Sequence, residues 1–76
     1  MEFEKIKKII QDVMKNNNVE INLDTNFKKD LKLDSIDLFS IIMGIEEEFN
    51  ITIDNEQILD IETVGDAISK IKNMKN

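Results

Sequence analysis

Three signals for the start of a helix, in a chain of only 76 residues, constrain the fold of this sequence most strongly. Asp34 precedes a long apolar run, and Asp54 is followed three residues later by Gln57. Thr63 and Asp66 repeat that second spacing. Side chains of these types accept hydrogen bonds from the free backbone N–H groups in the first turn of a helix. The sequence therefore predicts an all-α domain.

The spacing of the apolar residues predicts where each helix runs. A first helix is expected from about residue 2 to residue 15, ended by the three asparagines at 16–18. A second follows the cap at residue 34 and continues to residue 49. A short third helix contains residues 58–59, and the last helix runs from the cap at residue 63 toward Met74.

The connection between the first two helices is unusually long. Residues 17–34 show no helical period, yet they hold six apolar side chains. Because so long a connection is uncommon in a compact domain, we expect it to lie pinned across the helices. Residues 51–53 alternate like a strand, but the sequence offers no partner strand, so we predict a loop that anchors two side chains.

Composition argues against an enzyme. The chain has no His, Cys, Trp or Tyr, which removes the commonest general base, the thiolate nucleophile and the usual zinc ligands. Carboxylate-only catalysis would need a cleft that a domain of this size does not promise. We therefore predict no catalytic residue and no resident metal. No apolar run is long enough for a membrane span and no secretory signal is evident, so we expect a cytoplasmic protein.

Negative charge is concentrated in the middle of the chain. Between Asp30 and Asp66 there are eleven acidic residues and one basic residue. Such a block repels nucleic acid and anionic membranes, and it favours partners with basic surfaces. We expect neither nucleic acid nor membrane among the partners, and a monomeric protein.

A helical wheel divides the second helix into faces. The positions expected to face the core are Leu38, Ile42, Ile45 and Phe49, with Ile41 at the edge. The positions expected to face water are Asp37, Ser40, Gly44 and Glu47. Ile36 and Met43 fall near the polar side, with Phe39 at its border, which suits a surface that docks a partner. A helix packed on two sides is the alternative. Gly44 costs about 1 kcal/mol relative to Ala inside a helix and indicates close approach by another element.

Ser35 lies where the long connection becomes the second helix, between two acidic side chains. It has two interpretations. As a structural residue, it is a good first-turn residue. As a functional one, its hydroxyl could carry a phosphodiester, which the N-terminus of a helix favours. Asp34 and Asp37 oppose that charge, but they could help hold the divalent metal that a modifying enzyme would bring.

Two longer runs resemble the acyl carrier protein family. Asp34-Ser35-Ile36-Asp37 is followed by Met43 and by Glu46-Glu47-Glu48-Phe49, and Ile61–Ala67 leads into the last helix. The resemblance covers nearly the whole chain. It implies a single carrier domain over residues 1–76, folded as a small four-helix bundle with a long first loop and a short third helix. It also implies a 4′-phosphopantetheine arm, derived from coenzyme A, on Ser35; the thiol of this arm would hold acyl groups as thioesters.

The resemblance also implies how partners would bind. The residues that match the family's docking acids are Asp34, Asp37, Glu46 and Glu47, and those that match its apolar contacts are Ile36 and Met43. The implied partners are a phosphopantetheinyl transferase and acyl-processing enzymes with basic docking patches. A long acyl chain would lie between the helices, against residues such as Phe27, Ile42, Ile45 and Ile58.

The chain departs from the family pattern at three positions of the docking face. Lys32 stands where a Gly is frequent, Ser40 where an acid is common, and Phe39 is bulkier than the usual branched residue. Our first hypothesis is a carrier for fatty-acid synthesis. The alternative is a specialised stand-alone carrier for a polyketide, nonribosomal peptide or other acyl pathway. A third hypothesis is an acidic helical subunit that is never modified and acts by docking alone.

Overall fold

The computed structural model describes residues 2–74, and these form four helices and no strand. The helices are α1 (Glu2–Met14), α2 (Ser35–Phe49), α3 (Asn55–Leu59) and α4 (Val64–Met74). The predicted all-α bundle is confirmed, together with its long first connection and its short third helix. No helix in the described range is long and apolar enough to cross a membrane.

The core lies where α1 packs against α2 and α4. Ile6 and Ile10 from α1 are fully buried, as are Ile41 and Ile45 from α2 and Ile71 from α4. Each helix places these residues three or four positions apart, so one stripe of each faces the same interior. Four of the five core positions expected on α2 are buried, and Phe49 packs against the core from its border.

All three predicted helix starts are present. Oδ1 of Asp34 accepts a hydrogen bond from the N–H of Asp37 at 2.9 Å. Oε1 of Gln57 accepts from the backbone N–H of Asp54 at 3.1 Å, as a capping box requires. At α4 the bonds are reciprocal, since Oγ1 of Thr63 accepts from the Asp66 N–H at 3.1 Å and the Asp66 carboxylate accepts from the Thr63 N–H at 3.2 Å.

The Asp66 carboxylate is held in its charged form. Hydrogen bonds from the backbone N–H groups of Thr63 and then Glu62 lower the pKa of Asp66 below its ordinary value of 3.8. This carboxylate therefore ties the α3–α4 junction to the first turn of α4.

The long connection is pinned to the start of α4, as predicted. Three backbone hydrogen bonds join the two segments: Gly65 N–H to Leu23 O at 2.9 Å, Val64 N–H to Thr25 O at 3.0 Å, and Phe27 N–H to Glu62 O at 2.9 Å. They surround a single antiparallel bridge between residues 26 and 63. The apolar side chains that the connection buries are Ile21, Phe27 and Leu33, and Thr25 is buried beside them. We call these three hydrogen bonds the loop–α4 ladder.

Gly44 corrects one part of the helical wheel. It was placed with the water-facing residues, but it is half-buried against α1, where a Cβ atom would lie only 2.9 Å from Cγ2 of Ile9. The wheel failed here because it considers α2 alone, and the residue that packs against Gly44 comes from α1. The expectation that Gly44 marks close approach by another element is confirmed.

The loop predicted at residues 51–53 is also confirmed. This segment has no regular secondary structure and buries Ile53, while Ile51 packs at the border of the core. It begins immediately after Asn50, which ends α2 in the left-handed conformation with φ of 55°.

Candidate functional site

The Ser35 hydroxyl is exposed at the first residue of α2 and is not needed for capping. Asp34 occupies the cap position and its side chain makes the capping hydrogen bond. Among the described residues, the Ser35 side chain has no hydrogen-bond partner. Ser35 is therefore a first-turn residue, as its structural interpretation expected, and its hydroxyl is left accessible because Asp34 makes the capping bond.

The backbone is strained at Lys32, three residues before this serine. Lys32 has φ of 55°, in the left-handed region where an L side chain is disfavoured and glycine is not. The next residue, Leu33, is buried, and its N–H donates to Phe27 O at 3.1 Å. The left-handed conformation at Lys32 is therefore followed directly by the buried Leu33 and then by the start of α2 at Ser35.

A cavity of about 290 Å³ opens beside Ser35. It lies between the start of α2, the long connection and α3, and its lining residues are Asn26, Lys28, Lys29, Ser35, Leu38, Phe39, Ile58, Leu59, Ile61 and Glu62. Apolar side chains form its interior walls, and lysine and glutamate side chains stand among its polar lining residues. Its size is close to the lower end of ordinary ligand pockets, which is about 300 Å³.

The four residues expected along a bound acyl chain lie in two different surroundings. Of the four residues proposed, only Ile58 lines this cavity. Phe27, Ile42 and Ile45 are almost completely buried in the core and are absent from its lining. Apolar character alone could not distinguish a side chain that fills the core from one that borders an opening, because that distinction depends on how the loop and α3 pack.

The exposed apolar residues around Ser35 agree with the wheel. Ile36 is 75% exposed, Met43 is 60% exposed and Phe39 is 47% exposed. Leu59, at the end of α3, is 80% exposed and lines the cavity beside Phe39, and sequence reasoning did not single it out. The available signal was its place next to Ile58, since adjacent positions on a helix point about 100° apart and a short helix packed on one side can leave one of the two exposed.

The predicted docking acids fall into two groups along α2. Asp34 and Asp37 flank Ser35, whereas Glu46 and Glu47 border an open depression together with Met43 near the other end of the helix. Glu46 lies eleven positions after Ser35, which corresponds to about 17 Å along the axis. The structure therefore brings together the serine, two acids and Ile36 at one end, and Met43 with the other two acids at the other end.

Glu46 differs from its acidic neighbours because its carboxylate bonds to the backbone of the loop after α2. Its Oε2 accepts a hydrogen bond from the Ile53 N–H at 2.7 Å. Glu48 forms an ion pair with Lys5 at 3.4 Å, whereas Glu47 is exposed and forms no ion pair with a described residue. These three consecutive acids therefore have different surroundings.

Comparison with known proteins agrees with this arrangement. Residues 4–71 match the family model described as "Phosphopantetheine attachment site". The chain is 40% identical over 72 residues to an acyl carrier protein of Clostridium acetobutylicum, covering 95% of this chain and 94% of the relative. It is 44% identical over 72 residues to an acyl carrier protein of Solidesulfovibrio magneticus, covering 95% and 92% of the two chains.

A solved structure agrees as well. A Mycobacterium tuberculosis chain assigned as an acyl carrier protein superposes with a TM-score of 0.89 at 30% identity, covering 96% of this chain and 97% of that one.

The helical fold and the matched family model together define a class of protein, a carrier built to hold a covalent phosphopantetheine group. The chain belongs to the acyl carrier protein family. Members of this family are carriers and not enzymes, and they interact with the transferases that modify them and with acyl-processing enzymes.

Proposed function

We propose that this protein carries acyl groups for fatty-acid synthesis on a 4′-phosphopantetheine arm attached to Ser35, as a single carrier domain over residues 1–76. The observation that carries the proposal is the accessible Ser35 hydroxyl, which has no partner within the described chain and opens onto a cavity. Membership of a carrier family supplies the chemical identity of the arm.

The residues around Ser35 fit such a group. The hydroxyl is exposed, so the attachment point is accessible to a modifying enzyme, and the capping bond of α2 does not involve it. The adjoining cavity has apolar walls that suit an alkyl or acyl chain. When attached, the arm supplies the thiol that binds acyl groups, which agrees with a chain that has no cysteine of its own.

Partner docking is proposed to use α2 along its whole length. Asp34, Asp37 and Glu47 would face basic patches on partner enzymes, and apolar contacts would come from Ile36 beside the arm and from Met43 farther along α2. Support comes from the exposure of Ile36 and Met43 and from the acidic block, since opposite charges steer association. Glu46 is assigned to the same surface, although one of its oxygens is already bonded to the loop after α2. Monomeric state and cytoplasmic location remain predictions from the sequence.

A second candidate is a specialised carrier for another acyl pathway. The observation that favours it is the pair of exposed side chains Phe39 and Leu59 at the mouth of the cavity. Two large apolar groups at this point would alter which partner surface fits against the arm. The third hypothesis, a docking subunit that is never modified, has no support from the family match.

Intact-mass spectrometry tests the attachment directly. The protein is incubated with coenzyme A, Mg²⁺ and a broad-specificity phosphopantetheinyl transferase. We expect the mass of one phosphopantetheine to be gained by the wild type and by Ser40→Ala, and not by Ser35→Ala. Ser40 is the matched control because it is the other exposed serine of α2. Loading of a folded Ser35→Ala protein, or no loading of the wild type by any transferase tried, would contradict the proposal.

The pathway is tested on the loaded protein. Acyl transfer to it is compared between enzymes of fatty-acid synthesis and loading enzymes of polyketide or nonribosomal peptide pathways. We expect efficient acylation by the fatty-acid enzymes. Acylation only by the second group would replace the first hypothesis with the specialised carrier.

A further inference from the structure

Two lysines line the cavity beside Ser35, in the middle of a strongly acidic chain. Lys28 and Lys29 belong to the long connection, and they border the same opening as the serine hydroxyl. We propose that these two ammonium groups form an anion subsite that binds the phosphodiester joining the arm to Ser35. This inference rests on the proposed function, because it requires the arm to be attached at that residue.

Residues 26–30 form the turn that carries Lys28 and Lys29, which we call the lysine turn, and hydrogen bonds fix its backbone. Oδ1 of Asn26 accepts from the N–H groups of both Lys28 and Lys29 at 2.9 Å. The N–H of Asn26 donates in turn to Oδ2 of Asp30 at 2.8 Å. Phe27 lies inside the same turn, and its N–H donates to Glu62 O just before α4 as one of the bonds of the loop–α4 ladder. The two lysine side chains therefore project from a backbone held at a fixed place on the cavity wall.

Both ammonium groups are available for an anion. Within the described part of the chain, neither Lys28 nor Lys29 forms an ion pair, and both side chains are exposed. Glu62 also lines the cavity, but its carboxylate lies beyond ion-pair distance of either lysine. Neither ammonium group is therefore taken up by an ion pair with a described carboxylate.

A phosphodiester on Ser35 needs such compensation. The neighbouring carboxylates of Asp34 and Asp37 would repel it, and the N–H of Asp37 already donates to Asp34. The cations that share the cavity with Ser35 are Lys28 and Lys29. Exposed lysines attract a nearby anion only modestly, and salt weakens this attraction. Their effect is therefore to bias the position of the arm toward the cavity.

Side-chain pKa values measured by NMR test the subsite. The lysine Cε signals are titrated at low salt in the unmodified and the loaded protein, with loading verified by mass. We expect loading to raise the pKa values of Lys28 and Lys29 by a few tenths of a pH unit, and the rise to shrink at high salt. Lys7 and Lys8 are the controls, since they lie on α1 beside a different depression, and their pKa values should not change. Unchanged values for Lys28 and Lys29 in loaded protein would overturn the inference and leave the proposed function standing.

A second measurement separates the two proposals if no transferase loads the chain. Phosphoserine is introduced at position 35 during synthesis, and at position 40 as a control, and the titration is repeated. A rise in the pKa of Lys28 and Lys29 only with phosphoserine at 35 would support a phosphate subsite even though the carrier proposal had failed. No difference between the two phosphoserine proteins would overturn the subsite as well.

Discussion

The carboxylate of Glu46 accepts a hydrogen bond from the backbone N–H of Ile53 at 2.7 Å, which ties the last turns of α2 to the loop leading into α3. This acid belongs by sequence to the proposed docking surface, yet it also satisfies a backbone donor in a segment that has no regular secondary structure. Its two possible contributions, to stability and to docking, can be separated by comparison with its neighbour Glu47.

We expect Glu46→Ala to destabilise the protein by about 1–2 kcal/mol, because a charge-assisted hydrogen bond is lost and a backbone N–H is left without its partner. Glu47→Ala removes the same charge from an exposed side chain and should change the free energy of unfolding by less than about 0.5 kcal/mol. Urea unfolding of the two variants measures the difference. Equal stability of the two would show that the Glu46 bond contributes nothing to the fold.

The contact between Gly44 and Ile9 predicts a strong dependence on background. Alanine at position 44 should gain about 1 kcal/mol from helix propensity, but its Cβ would lie 2.9 Å from Cγ2 of Ile9. In the wild-type background we therefore expect no gain or a loss.

The Ile9→Ala background provides the control for this prediction. Ile9→Ala removes the obstructing atom, so Gly44→Ala should then stabilise the protein relative to Ile9→Ala alone. A double-mutant cycle by urea unfolding measures this coupling, which we expect to be at least about 1 kcal/mol. An additive cycle would mean that α1 shifts freely to accommodate the new methyl group.

The left-handed conformation of Lys32 predicts that glycine stabilises the protein at this position. Lys32→Gly should raise the free energy of unfolding by about 1 kcal/mol, because glycine adopts φ of 55° without the penalty of a Cβ. Lys32→Ala removes the same ammonium group but keeps the Cβ, so it should show no such gain. Thermal unfolding of both variants decides the matter, and a Lys32→Ala protein as stable as Lys32→Gly would assign the effect to charge.

The lowered pKa of Asp66 predicts a pH-dependent contribution to stability. A carboxyl whose pKa is lower in the folded state stabilises the fold above its ordinary value of 3.8, and this contribution disappears as the pH falls through the lowered value. We expect wild-type protein to melt at a higher temperature than Asp66→Asn at pH 7, and this advantage to shrink as the pH is lowered below 3.8. A difference in melting temperature that stays constant from pH 7 down to acid unfolding would contradict this assignment.

Local signals in the sequence were sufficient for the helices and for the position of Ser35 at the start of α2. Asp34 caps α2 through a bond to a residue three positions away, so the pattern and the bond lie within one turn of chain. Ile36 and Met43 could be placed on an exposed face because a helix fixes the direction of every side chain along it.

Features that depend on two distant segments were not predictable. A helical wheel of α2 carries no information on residues outside that helix. It therefore could not predict that Ile9 packs against Gly44 or that the Ile53 N–H donates a hydrogen bond to Glu46. The cavity beside Ser35 was not predictable for the same reason. Its walls combine residues near position 28 with residues near position 58, and their meeting depends on the loop–α4 ladder and not on any short-range pattern.

The loop–α4 ladder determines at which stage of folding the site is complete. The N–H groups of Phe27, Val64 and Gly65 bond across a gap of more than thirty residues, so they can close only after both segments have reached their final positions. These amides should resist exchange with deuterated water about as long as the amides in the middle of α2, although Phe27 belongs to no helix. A chain with four helices but an open ladder would still present Ser35, without the lysine turn on one side of the cavity. The complete site is therefore a property of the finished tertiary structure, and an incompletely folded carrier offers its enzymes a different surface.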